Sequence, residues 1–288
     1  MSIELSEPDV NGLGEAVAAL RGWQSDASPL QLHPGDLGWF WRAGPEATAT
    51  AVRTWSRDGR ILAVGLLDGP GLLRLTIARD ARRDEELARS MLADVTDPDR
   101  GVLPAGRASI EAPMTARLQD LLAGAGWHAD EPWTPLHRDL AQPVPPPGVR
   151  VERVGPGLAA ESTAVHRSAF DGSTFTEERW HTMAAGLPFA DARTLLAYDD
   201  EGAAVACVTV WSASAGRPGL LEPMGVHRDH RGRGHGRAIS VAAAAALRDM
   251  GASSAMVCTP ASNTAAVATY RAAGYEPRAL VRDMTRDA

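Results

Sequence analysis

Residues 231–238 read RGRGHGRA and run straight into ISVAAAAALRDMG at 239–251. The second stretch is rich in alanine, the residue best suited to a helix interior. The first, with glycine at 232, 234 and 236, cannot hold a helix by itself. Upstream stands GLLEPMGVHRDH at 219–230, whose first part reads as a strand. Strand, glycine turn and helix in that order make a small anion cradle. Glycine permits the φ values that turn successive N–H groups inward, and the helix N-terminus adds partial positive charge. A phosphate or pyrophosphate fits such a turn, and Arg231 and Arg233 offer direct pairing. The turn is not a Walker loop, because no Lys-Ser/Thr pair follows. Nor is it the dinucleotide fingerprint, because no β-α-β unit with a ribose-binding acid follows.

Around this turn the second half of the chain alternates strands and helices. VRVERV (149–154) reads as a strand, GLAAESTAVHRSAF (157–170) and EERWHTMAAGL (177–187) as helices. TLLAYDD (194–200) and AAVACVTVWSA (203–213) form a hairpin turning at Asp200-Glu201-Gly202. After the cradle and its helix come the strand SAMVCTP (254–260), a short helix following Asn263, and the strand ALVRDMT (279–285). The expectation is an α+β fold, a mixed sheet covered by helices. Four prolines between Pro143 and Pro147 favour extended polyproline II and read as a stiff linker.

The chain has 288 residues, 44% of them hydrophobic, which is ample for packed cores. Its net charge of −7 argues against nucleic acid, whose binders neutralise phosphates. All 29 basic residues are arginine. No apolar run approaches a membrane span, and MSIELSEPDV is acidic rather than signal-like, so a cytoplasmic protein without membrane partners is expected. Two cysteines, Cys207 and Cys258, supply neither a disulfide framework nor metal-ligand spacing.

VHRDHRGRGHGRAI (226–239) resembles the pyrophosphate-binding segment of the GNAT N-acetyltransferase superfamily, and NTAAVATYRAAGYEP (263–277) resembles that family's second signature. The resemblance covers about residues 148 to 286. It implies acetyl-CoA as co-substrate and no metal. It also implies that Met224 and Val226 hold the pantetheine arm through their backbone. Arg231, Gly232, Arg233, Gly234, His235, Gly236 and Arg237 would cradle the pyrophosphate with backbone N–H groups. Asn263 matches a cofactor-contacting asparagine, although it is also a good helix cap. Tyr270 matches the tyrosine that protonates the leaving thiolate, and Gly274-Tyr275 the turn into the last strand.

Acetyl transfer to an amine needs a neutral amine and a proton for the departing sulfur. An alkyl ammonium lies about 3.4 units above pH 7, so deprotonating it costs ~4.6 kcal/mol without a base. Glu222 is the candidate, directly or through a water, on the strand face that a period of two shares with Met224 and Val226. Pro223 beside it suits a bulge. Asp171 is a second acid that could meet the amine. The reaction expected is transfer to a primary amine of a small molecule, by direct attack in a ternary complex. Protein N-terminal or lysine acetylation and a silent CoA-binding sensor are the alternatives, and the oligomeric state, monomer or homodimer, stays open.

The first half repeats the plan in diverged form. ARLQDLLAGAGWHADEPWTPLHRDL (116–140) resembles AVATYRAAGYEPRALVRDMTRD (266–287), with Gly126-Trp127 in the place of Gly274-Tyr275. In that register RRDEEL (82–87) replaces the cradle, and Leu122 and Thr115 replace Tyr270 and Asn263. Three carboxylates, Asp84, Glu85 and Glu86, would repel a pyrophosphate. The expected organisation is therefore two tandem GNAT-like domains, each a mixed, mostly antiparallel sheet flanked by helices. Residues 1–141 form a degenerate copy without a cofactor loop, 142–147 the linker and 148–288 the catalytic copy. Mycothiol synthase and its relatives share this tandem plan.

Overall fold

The computed structural model describes residues 2–287. In chain order the elements are β1 (Glu4–Ser6), α1 (Leu13–Trp23), α2 (Pro34–Phe40), α3 (Pro45–Ala51), β2 (Val52–Arg57), β3 (Arg60–Leu67), β4 (Leu72–Ile77), α4 (Glu85–Thr96), β5 (Ala108–Glu111), α5 (Arg117–Gly124) and β6 (His128–Asp139). They continue with β7 (Arg150–Arg153), α6 (Ala159–Ala169), α7 (Glu177–Ala184), β8 (Ala192–Tyr198), β9 (Ala204–Trp211), β10 (Gly219–Val226), α8 (His235–Asp249), β11 (Ser254–Pro260), α9 (Thr264–Ala272), β12 (Glu276–Pro277) and β13 (Val281–Arg286). Sheets of mixed direction flanked by helices agree with the expected fold class.

The chain divides into two compact units, and the division is not a single cut. Unit 1 holds Met1–His33, Pro45–Trp133 and Leu280–Ala288, and unit 2 holds Pro34–Gly44 and Thr134–Ala279. The change of unit within β6 thus precedes the proline run, which lies inside unit 2, and two segments leave the half of the sequence in which they occur.

Unit 1 has the strand order β1-β2-β3-β4-β5-β13, with β13 also paired to the first half of β6. Met284 of β13 lies opposite Ile110 on one side and Ala129 on the other, and its side chain is buried in the core with Trp55, Met91 and Leu122. The last strand, read from the sequence as closing the second copy, therefore completes the first unit. Alternation of apolar residues marks a strand but not its partner. β2 begins at Val52, directly after α3 closes at Ala51. Trp55 is fully buried, with its indole Nε1 donating to Asp94 at 2.8 Å.

Unit 2 has the order β11-β10-β9-β8-β7, antiparallel except for β10 with β11. Residues Leu136 and His137 of β6 pair with β12. Helix α8 buries Ala238 to Ala244 along with Ala246 and Leu247, so its small side chains let it lie close on the sheet. Leu221, Val208 and Val210 share the core under α8, whereas Leu220 and Cys207 share the other one with Trp180 of α7.

The two units repeat each other locally. Gly126 and Gly274 both take positive φ, 86° and 83°. Each precedes a buried aromatic, Trp127 or Tyr275, whose N–H donates to the carbonyl of Leu122 or Tyr270 at 3.0 and 3.1 Å.

In unit 1 the Asp283 carboxyl is raised to about 6 by burial, with Glu111 and Asp130 adding to the rise and Arg74 opposing it. Because the folded value exceeds the unfolded one, this group stabilises most when protonated and costs stability as pH rises through 4 to 6. A rise of that size corresponds to at most ~3 kcal/mol, which solvent screening at a part-exposed position reduces to about 1 kcal/mol. Asp283→Asn is expected to raise Tm by roughly 2–4 °C at pH 7.5 and to lose that advantage near pH 4, as followed by differential scanning calorimetry.

Candidate active site

Strand β10 carries the candidate site residues Glu222, Met224 and Val226. It pairs with β11 only at Gly219 and Leu220, although it runs on to Val226 and β11 to Pro260. Beyond Leu220 the two parallel strands part, which leaves an opening bordered by backbone. On its other side β10 is held by β9, with a bulge between Leu221 and Met224. Glu222 and Pro223 together oppose one residue of β9, so the period of two is broken there. The alternation expected to group Glu222 with Met224 and Val226 therefore does not carry across the bulge. Leu221, Met224 and Val226 all lie against the α8 core. Glu222 is half-buried, and its carbonyl accepts from the indole Nε1 of Trp211 at 2.6 Å.

The cradle forms as the glycines require. Gly232 and Gly234 have φ of 76° and 86°, and Gly234 is the N-cap of α8 in the left-handed conformation. Among the described residues no hydrogen bond takes up the N–H groups from Gly232 to Arg237. A row of unpartnered donors at the start of a fifteen-residue helix fits a pyrophosphate. At Gly236 the constraint is proximity, since a Cβ would stand 2.9 Å from Thr269 Cγ2 of α9. Arg231 is anchored on the Ala169 carbonyl at 2.7 Å and Arg237 on the Ala272 carbonyl at 3.1 Å. Gly232, Arg233 and Gly234 face solvent, and His235 and Gly236 are partly covered. Burial, together with His230, holds the His235 imidazole below its usual value.

Tyr270 of α9 is 5% exposed, and its hydroxyl makes no hydrogen bond among the described residues. Burial raises it far above the ordinary phenol range, with further contributions from Glu222 and then Cys258. The two candidate catalytic residues are thus close enough to feel each other, and the phenol stays protonated at any working pH. Asn263 caps α9, its Oδ1 accepting from Ala266 N at 3.1 Å. Asp171 is paired with Arg228 at 3.0 Å. Cys207 is buried and raised to about 12, an inert thiol.

The sequence reading missed α2. Its residues Gly35 and Gly38 lie on Trp211 so closely that a Cβ at either would overlap the side chain. The neighbouring Trp39 touches His166 and Phe175, with ring centroids 5.5 and 4.8 Å away. Two glycines three residues apart, followed by tryptophans, are the available signal, one of close approach by a helix face. A groove of about 530 Å³ between Arg153, Trp180 and Phe189 contains none of the candidate site residues. Among the described residues no cluster of His, Cys, Asp or Glu is arranged to hold a metal, and no helix is long and apolar enough to cross a membrane.

Residues 162–275 match the model of the Acetyltransferase (GNAT) family, a span that contains the cradle, Glu222, Asn263 and Tyr270. None of the curated proteins matches the chain in sequence. Among solved structures, the chain is similar to a GCN5-related N-acetyltransferase from Sphaerobacter thermophilus. The identity is 20% and the TM-score 0.61, covering 99% of this chain and 95% of that one. It is also similar to a tandem GNAT protein from the clavulanic acid biosynthesis pathway, at 18% identity and TM-score 0.63, covering 99% and 98%. The Saccharomyces cerevisiae N-myristoyltransferase with bound myristoyl-CoA aligns at 11% identity and TM-score 0.60, covering 99% and 78%. These likenesses establish the fold and a two-domain architecture.

Gly38→Ala should force α2 off Trp211 and lower stability by about 1–3 kcal/mol, the usual effect of overpacking. Urea unfolding monitored by tryptophan fluorescence measures it, and a change below about 0.5 kcal/mol would contradict the close packing described.

Proposed function

We propose that the chain is an acetyl-CoA-dependent N-acetyltransferase acting on a primary amine of a small molecule, by direct attack within a ternary complex. The observation that carries this reading is the row of unpartnered N–H groups from Gly232 to Arg237 beside the parted strands β10 and β11. The match of residues 162–275 to the GNAT model supports it. The cofactor's pyrophosphate would rest on that row, its pantetheine arm along Met224 and Val226, with Asn263 at its side. When bound, acetyl-CoA supplies the acetyl thioester. Glu222 takes the proton from the amine, directly or through a water. Tyr270, buried and protonated, gives one to the departing sulfur.

Unit 1 is inferred to bind no coenzyme A. Asp84 caps α4 with its carboxylate, accepting from Leu87 N at 2.9 Å, where Gly234 leaves α8 open. Arg57 bonds Asp84 at 2.8 Å and Glu86 at 3.0 Å, and Arg117 bonds Glu85 at 2.6 Å. A carboxylate already fills the helix start.

Thiol release from acetyl-CoA across a panel of primary amines, with mass analysis of the products, tests the reading. Tyr270→Phe is expected to lower kcat by about 10²–10⁴-fold while acetyl-CoA affinity stays within about twofold. Glu222→Gln should lower kcat/KM for the amine at pH 7 by at least about tenfold. That loss should shrink toward pH 10, where the amine deprotonates unaided. Acetylation of a lysine peptide in preference to every small amine would favour a protein substrate, and tight binding without turnover would favour a sensor.

A further inference from the structure

The flank of β10 opposite α8 is aromatic. Phe170, at the end of α6, is 38% exposed, and its ring edge lies 2.9 Å from where a Cβ on Gly225 would stand. Phe170 therefore sits on the strand between Met224 and Val226. Behind it is His166, with ring centroids 4.7 Å apart, and His166 in turn meets Phe175 at 4.9 Å and Trp39 at 5.5 Å. His166 and Phe175 are buried, whereas Trp39 and Phe170 keep surface. One residue before Trp39, Gly38 rests on Trp211, whose indole N–H holds the Glu222 carbonyl. The same short helix thus fixes both the aromatic cluster and the strand segment that carries the carboxylate.

The charges beside this wall decide which amines suit it. The Arg42 guanidinium stacks on the Trp39 ring at 4.2 Å, and Arg167 donates to the Phe175 carbonyl at 3.1 Å. Both face His166, which burial first and these two cations next lower to about 4. His166 is therefore neutral at working pH, with Nδ1 against Ser173 Oγ at 3.0 Å. Arg228 and Arg231 stand on the same side, the first paired with Asp171. Acids also lie on these elements: Asp171 after α6, paired with Arg228, Glu222 on β10, and Asp36 buried within α2. A second ammonium on the acceptor would meet guanidinium groups next to the aromatic wall, a like-charge encounter that disfavours polyamines and aminoglycosides. An aromatic ring finds apolar, polarisable faces there instead.

We propose that the acceptor is an aromatic monoamine whose ring seats against Phe170 and the Trp39–His166–Phe175 cluster, with Trp39 and Phe170 as specificity-determining residues. This rests on the acetyl-transfer reading above. The test uses phenethylamine against spermidine and kanamycin, with acetyl-CoA binding measured separately by calorimetry. Saturation-transfer NMR on protein loaded with CoA should show contact at the phenethylamine ring protons. Phenethylamine should be acetylated at least about tenfold more efficiently than either polycation. Phe170→Ala and Trp39→Ala should each raise its KM by about tenfold with kcat within threefold, and Trp39→Phe should restore most of the loss. Phe170 is exposed, so its variant keeps the test valid if Trp39→Ala fails to fold. A preference for spermidine or kanamycin, an unchanged KM in the Phe170 variant, or no saturation transfer on protein that binds acetyl-CoA would overturn the proposal. Failure to bind acetyl-CoA would instead overturn the acetyl-transfer reading on which it stands.

Discussion

Strand β10 is paired with β11 at only two residues, yet it is held along its other edge by β9 and pressed from both faces by helices. A strand in that position must leave backbone groups unpaired on one edge, and buried backbone groups without partners are costly. The opening therefore makes sense as a place where something else supplies the partners. Parting alone does not distinguish the two units, however. In unit 1 the parallel pair β4 and β5 is in register at only three positions, Leu72 to Arg74. What separates the two cases is the next turn: glycines with free N–H groups in one, and an aspartate cap tied to arginine in the other.

This difference is legible in the sequence because it is chemical and local. Gly232 and Gly234 have backbone angles that other residues rarely adopt, so their spacing carries information. The same holds for Gly274 and Gly126, whose matching turns make the internal repeat visible. Asn263 shows the limit of such reading. Its identity suits both a helix cap and a cofactor contact, and the structure displays the cap. Tyr270 stands out by resemblance alone, and its burial next to the Glu222 charge is a property of packing that no single residue announces.

The parts that escape the sequence are those set by distant pairing. Nothing in ALVRDMT says that Met284 belongs with Trp55 and Leu122 rather than with the half of the chain in which it lies. Likewise Pro34–Gly44 occurs among residues of the first half and is packed in the second unit, because two glycines let α2 reach Trp211. Pro223 announces the bulge it shares with Glu222, but not the effect of that bulge on side-chain alternation. Each of these is a tertiary constraint acting on an ordinary local pattern.

Everything proposed here depends on one coenzyme site per chain, formed by the turn at 231–237. Isothermal titration of acetyl-CoA into the wild-type protein and into Gly234→Glu tests this most directly, since the variant places a carboxylate at the start of α8 as unit 1 already does at α4. The expected result is a stoichiometry of one and loss of binding in the variant, with the fold intact by circular dichroism. Two sites per chain, or an affinity unchanged by the carboxylate, would contradict it.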